Sequence, residues 1–289
     1  AVKTIAIGDD CMGSGVVTGD KNVAVGQGAG YSLTSGDSNI LIGNDAGVLT
    51  DTGADNVMIG TNSGDACQEN SSMVLIGKNA GGSINHTAAN GTVAVGYQAG
   101  KSITSGAGNV AIGYQSMDEL TTGNHNTAVG ANALAAATSA EQNTALGREA
   151  AAATTTGSYN TAIGAFSLDA NTTGASNVSV GQASLGANTT GADNVAVGRA
   201  TLESNTTGTR NIAIGRAAIG ASDTEDDNIA IGYDAMTTNT AGGAQNIALG
   251  NYALDALTSG DNNTAVGHVA LGANNSGGDN TAVGHSALV

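Results

Sequence analysis

The chain has 289 residues, a net charge of −16 from eight Lys and Arg against 24 Asp and Glu, 45 Gly and no Pro. Aromatic residues make up 2% of it, with one Phe and no Trp, so a wide aromatic core is excluded. Without a basic patch to neutralise phosphates, nucleic acid is excluded as a partner, and no apolar run is long enough to predict membrane insertion.

One motif recurs from end to end: Asn, a β-branched residue, Ala, a β-branched residue, Gly, as in Asn126-Thr127-Ala128-Val129-Gly130. Its closing glycines are Gly8, Gly26, Gly43, Gly60, Gly77, Gly96, Gly113, Gly130, Gly147, Gly164, Gly181, Gly198, Gly215, Gly232, Gly250, Gly267 and Gly284. Of the 16 intervals between these 17 glycines, 13 are 17 residues; the others are 18, 19 and 18. A fixed period of this kind is the signature of a repeat architecture. Each copy holds one short alternating run, read as a strand, and a second Thr-rich run that could form another. Seventeen residues are too few for a strand–helix–strand crossover. They fit one coil of a parallel β-solenoid, a narrow two-sided roll with a perimeter of about 55 Å or less. The predicted fold is all-β, a single solenoid over residues 1–289 with no internal boundary. Stacked at about 4.8 Å, the coils predict a rod on the order of 80 Å long.

The columns of the repeat assign roles. The closing glycines, among them Gly130, Gly147, Gly164 and Gly198, suit a turn with positive φ or close backbone approach. The Asn four residues earlier, as Asn126, Asn143, Asn160 and Asn194, suits a turn cap and an amide ladder between coils. The β-branched pair is expected to fill the thin core. The residue between them, Ala94, Ala111, Ala128, Ala145, Ala162, Ala196 or Ala213 for example, then points outward as an apolar stripe. Such a stripe predicts an interface between parallel, in-register copies of the chain. Leu134, Leu168, Leu185, Leu202 and Leu271, four residues after the glycine, are assigned to the same contact.

Local features follow in chain order. Cys11 and Cys67 fall in different columns three coils apart, beyond disulfide reach, and are read as unpaired thiols. Gly53-Ala54-Asp55-Asn56 and Gly277-Gly278-Asp279-Asn280 are acidic turns without the full calcium-binding repeat pattern. Residues 64–92 are the least regular: Met73 replaces Asn and the 19-residue interval falls there, so a loop or bulge is expected. Near residue 113 the column four after the glycine changes from Gly (Gly30, Gly47, Gly64, Gly81, Gly100) to Leu or Met. Thr121-Thr122, Thr155-Thr156 and Thr189-Thr190 form a Thr row, the feature that an ice-binding solenoid would use. Asn171-Thr172-Thr173, Asn188-Thr189-Thr190 and Asn205-Thr206-Thr207 match glycosylation sequons but are first of all repeat columns. His268 and His285 should stack on adjacent coils and are the one candidate metal site, in a column that otherwise reads as solvent-facing. No Ser/His/Asp or Cys/His set can be assembled from repeat positions, so no catalytic residue, enzyme activity or cofactor is predicted.

The N-[TV]-A-[VI]-G motif resembles the head repeats of YadA-like trimeric autotransporter adhesins, a left-handed parallel β-roll. It is also similar to Gly/Thr-rich repeats of phage tail fibres, which often precede a self-cleaving chaperone domain. The resemblance covers nearly the whole chain, although the adhesin repeat is usually shorter than 17 residues. It implies a homotrimer and an extracellular place on a virion appendage or bacterial surface. It implies no catalytic residue. Because the chain begins and ends within a repeat, flanking anchor, tip or chaperone parts are expected in a longer protein. The reading that results is a structural fibre shaft or head used in host attachment. The alternatives are an adhesin touching a host receptor, matrix or glycan through residues 64–92, and an ice-binding solenoid.

Overall fold

A β-branched residue on either side of a small one favours extended backbone, and the following glycine ends it. In a computed structural model that describes residues 3–13, 15–238 and 242–289, each such segment is a three-residue strand. The chain is an all-β parallel β-solenoid with a 17-residue repeat. Two compact units, Ala1–Asn143 and Thr144–Val289, are built alike. The first carries the strands from β1 (Ile5–Ile7) to β8 (Thr127–Val129), the second those from β9 (Thr144–Leu146) to β17 (Thr281–Val283). Each strand within a unit pairs with the next in parallel and in register, Ala6 beside Ala24 in one unit and Ala162 beside Ser179 in the other. Among the described residues no helix is long and apolar enough to cross a membrane.

The strand faces are the reverse of the sequence expectation. The central column is inside: Ala94, Ala111, Ala128, Ala145, Ala162, Ala196 and Ala213 are all fully buried within the single chain. They are therefore unavailable as an interface between copies. The flanking residues point out, Ile112 at 37% exposure, Leu146 at 47% and Ile214 at 38%. The cause is the period of two: a three-residue strand whose middle residue faces the coil must turn both neighbours away. The leucines assigned to that contact move with the stripe: Leu134, Leu168, Leu185 and Leu202 are fully buried, and Leu271 nearly so.

Three columns share the interior and exchange volume. Where the strand carries Leu41, Met58 or Leu75, the position four after the glycine is Gly47, Gly64 or Gly81. A Cβ on Gly64 would lie 2.6 Å from Met58 Sδ and 2.8 Å from Leu75 Cδ1. Where the strand carries Ala, that position is often a leucine, as in Leu134, Leu168 and Leu202, held in the left-handed region at φ 50°, 56° and 50°. That conformation costs about 1–2 kcal/mol for a residue with a Cβ. Burying the side chain returns about 1.5–3 kcal/mol. Where both positions are small, as at Ala94 and Gly100, Ile103 fills the gap.

The closing glycines carry the tightest constraint. Gly164 has φ 129°, and a Cβ there would sit 2.6 Å from the carbonyl oxygen of Gly181 on the next coil. Backbone stacks directly on backbone at this corner, so no side chain fits. The Thr-rich run, by contrast, is not a second strand: it consists of bends. Its backbone still bonds between coils, Thr155 N–H to Thr172 O at 2.9 Å and Thr172 N–H to Thr189 O at 2.9 Å.

The asparagine column makes the polar spine. Asn177 donates its side-chain amide to Asn160 Oδ1 at 3.2 Å and to Gly191 O at 2.8 Å. Its backbone N–H donates to the same Asn160 oxygen at 3.0 Å. Each residue thus ties a coil to its neighbour and fastens the start of its own coil to the end. Asn126, Asn143 and Asn194 are buried in the same column; Asn126 donates to Ala140 O at 2.8 Å and Asn194 to Gly208 O at 2.8 Å.

Candidate functional site

The most extensive surface feature is the outward strand face. In Thr144–Val289 it carries Val178, Val180, Val195, Val197, Ile212 and Ile214 in two parallel rows on consecutive strands. Nine strands spaced at about 4.8 Å, with rows about 7 Å apart, give a strip on the order of 300 Å² in this unit alone, aliphatic except where Thr144, Thr161, Thr264 and Thr281 stand in one row. Residues of the strip screen one another, which leaves most of them half-exposed rather than free. Ala1–Asn143 presents an equivalent strip, including Ile40 at 39% and Ile112 at 37% exposure.

A second row lies just after the glycine. Tyr97 and Tyr114 stack there with centroids 5.3 Å apart and planes 14° apart. In the other unit Arg216, Tyr233, Tyr252, His268 and His285 form a continuous succession over neighbouring coils. His268 and His285 are brought together as stacked rings, centroids 5.2 Å apart and planes 7° apart. Parallel rings hold their nitrogen lone pairs side by side, so these do not converge on one ion at a metal–nitrogen distance of about 2.0–2.1 Å. Among the described residues no group of three or more His, Cys, Asp or Glu side chains could hold a metal. Tyr97 with Tyr114 and His268 with His285 meet face to face, whereas Tyr252 meets Tyr233 and His268 edge to face.

Residues 64–92 contain a short 3-10 turn, Thr87–Ala89, whose N-cap His86 accepts a hydrogen bond from Ala88 N–H through Nδ1 at 3.0 Å. Asn70, in a column that is glycine in most coils, donates to His86 O at 2.8 Å. Between them lies a polar cavity of about 320 Å³ lined by Gln68, Glu69, Asn70, Asn85, His86 and Thr87. The spine is broken here by Met73 and Thr92, whose hydroxyl bonds back to Ala89 O.

The remaining sequence features have structural partners. Thr155, Thr172 and Thr189 each donate their hydroxyl to the next coil's carbonyl at 3.0 Å, so the donors of the Thr row are engaged internally. Asn171, Asn188 and Asn205 are buried and form a second amide ladder, 2.9 Å at each step. Acidic turn residues accept from the preceding coil: Asp20 from Lys3 N–H at 2.6 Å, Asp261 from Ala244 N–H at 2.8 Å. That bond to Lys3 holds the Asp20 carboxyl below its ordinary pKa. Asp55 and Asp279 occupy the left-handed region at φ 59°, beside the polar spine. Cys67 is buried and its thiol is pushed well above its ordinary pKa by burial, while Cys11 is only partly buried.

Sequence reasoning missed Glu225. It is 5% exposed and stands where most coils have glycine. The second ladder ends one coil earlier, and Asn205 Oδ1 has no hydrogen-bond partner among the described residues. Glu225 takes over, accepting from Ser222 Oγ at 2.6 Å, Asp223 N–H at 3.0 Å, Thr224 N–H at 3.1 Å and Gly242 N–H at 2.9 Å. Replacement by Ala leaves these donors without a partner, and Glu225→Ala is expected to cost about 2–3 kcal/mol. A fall in the thermal midpoint, with Glu225→Gln intermediate, is the readout. The signal available in the sequence was the single acidic residue in a glycine column.

Compared with known protein families and with curated proteins, the chain matches no family model and no curated protein.

Proposed function

We propose that the chain is the shaft or head of an extracellular trimeric fibre, a phage tail fibre or bacterial surface appendage that serves attachment to a host. The observation that carries this reading is the outward aliphatic strip. A strip of this size is comparable to the largest apolar patch of a typical soluble monomer, and such patches are often functional. A strip of two straight rows in strict register is complementary to itself, and parallel copies related by a closed rotation cover it without leaving an open face. The interface assigned at first to the alanine column passes to these β-branched rows. In the fibre, the role of the chain is mechanical: each coil adds length, and the Asn spine and aliphatic contacts resist shear.

The test is a charge placed in the strip. Val195→Glu together with Val197→Lys alters two outward residues of one strand and leaves Ala196 inside. Sedimentation velocity is expected to show the wild-type chain as a trimer and the double variant shifted towards monomer by at least tenfold in dissociation constant. Circular dichroism should be unchanged. Association unaffected by the charges contradicts the reading.

A second reading, a receptor-binding adhesin, draws support from one observation, the polar cavity beside Glu69 and His86. It would place host contact on the irregular coil and leave the regular coils as the support.

A further inference from the structure

A different notch lies in the turn columns of Thr144–Val289, away from the strand face. The chain's only Phe, Phe166, stands on one coil, and the next coil offers no bulk opposite it, only Ala183, Gly186 and Ala187. On the coil after that, Glu203 and Ser204 line the far side of an open cavity of about 520 Å³. Asp169 leans into this gap: a Cβ placed on Gly186 would lie 3.4 Å from Asp169 Oδ1. Burial, with Glu149 nearby, raises the Asp169 carboxyl above its ordinary pKa.

The other side of the Phe166 ring shows what the notch would accept. Arg148, on the preceding coil, places its guanidinium carbon 4.4 Å from the ring centroid. The ring is therefore already used on one face as a cation acceptor, and the notch lies towards the following coils. An aromatic face flanked by two carboxylates is the chemistry that holds organic cations. The chain contains its own control. Tyr252, Asp255 and Gly272 repeat the same column positions, but there Val269 fills the space, 2.7 Å from the position a Gly272 Cβ would take, and His268 packs on the tyrosine. The acid and the ring occur at both places; of the two, the one at Phe166 is open and the one at Tyr252 is filled.

We propose that the notch between Phe166, Asp169 and Glu203 binds a guanidinium-bearing ligand, with the cation over the free face of Phe166 and its N–H groups towards the two carboxylates. The site does not depend on the fibre reading, since all its residues lie in one chain.

Ligand-observed NMR with acetyl-arginine amide tests it on the intact chain, with acetyl-citrulline amide as the uncharged isostere. Saturable binding of the arginine compound and none of the citrulline compound is expected. Phe166→Leu, Asp169→Asn and Ala183→Val, which installs the residue found at Val269, should each weaken binding by roughly fivefold or more, the loss of one cation–aromatic or charged contact. Asp255→Asn should leave it unchanged. Agmatine in a second arm distinguishes a free small amine from an arginine held in a peptide, according to which binds more tightly. Equal binding of arginine and citrulline compounds overturns the proposal, even if the variants fail to fold. So does equal weakening by Asp255→Asn and Asp169→Asn, which would mark general attraction to an acidic protein.

Discussion

Asn177→Ala is expected to lower the stability of its unit by about 4 kcal/mol, far more than a typical polar substitution. The side chain donates to Asn160 Oδ1 and Gly191 O and accepts from Asn194 N–H at 3.0 Å and its Nδ2 at 3.1 Å. Asn160 Oδ1 keeps the Asn177 backbone N–H and Gly191 O keeps Asn188 Nδ2, but Asn194 N–H and one Nδ2 proton of Asn194 lose their acceptor in a fully buried column that water does not reach. Each unsatisfied group costs about 1–3 kcal/mol. Asn280 supplies the comparison: it is only part-buried and bonds to Asn263 Oδ1 at 2.9 Å. Asn280→Ala should cost under about 1.5 kcal/mol, a single hydrogen bond's worth. Because repeats unfold by neighbours, the difference should also appear in amide exchange. Protection at Val178 and Val195 should fall in Asn177→Ala and persist in Asn280→Ala.

The second large effect concerns the exchange of volume inside the coil. Ala196→Leu adds a side chain where Leu185 and Leu202 already occupy the interior. Overpacking of this kind costs about 1–3 kcal/mol. Leu185→Gly and Leu202→Gly, each alone, remove a buried leucine at about 2–5 kcal/mol. The triple variant reproduces the arrangement at Gly30, Leu41 and Gly47, where the strand leucine fits against two glycines. Its thermal midpoint should recover most of the loss summed over the single variants. A midpoint that is merely additive would mean that the two columns do not share one space.

This exchange also explains what was legible in the sequence and what was not. The period, the closing glycines and the Asn column are fixed by backbone geometry, and backbone geometry leaves an unambiguous mark on residue type. Gly164 tolerates no Cβ and Asn177 meets a demand that few other side chains satisfy. The facing of the strand left no such mark. In a run such as Val195-Ala196-Val197 both faces are apolar, so alternation alone admits either orientation. The decisive signal was volume across columns: Met58 against Gly64, Ala196 against Leu202. Residues that trade size must touch, and Leu202 can touch Ala196 only from inside. The Thr-rich run misled for a related reason. Thr favours strands by type, yet Asn171, Asn188 and Asn205 turn the chain beside it and hold it in bends. The notch at Phe166 rests on a missing side chain, Gly186, in a chain where glycine is common.

The native mass of the purified chain, by light scattering on a sizing column, tests the account most directly. A mass three times 27.8 kDa is the predicted result, with the β-branched strip covered by the other two copies. A stable, soluble species at 27.8 kDa would contradict it: the strip would be exposed to solvent, and the fibre reading would fall.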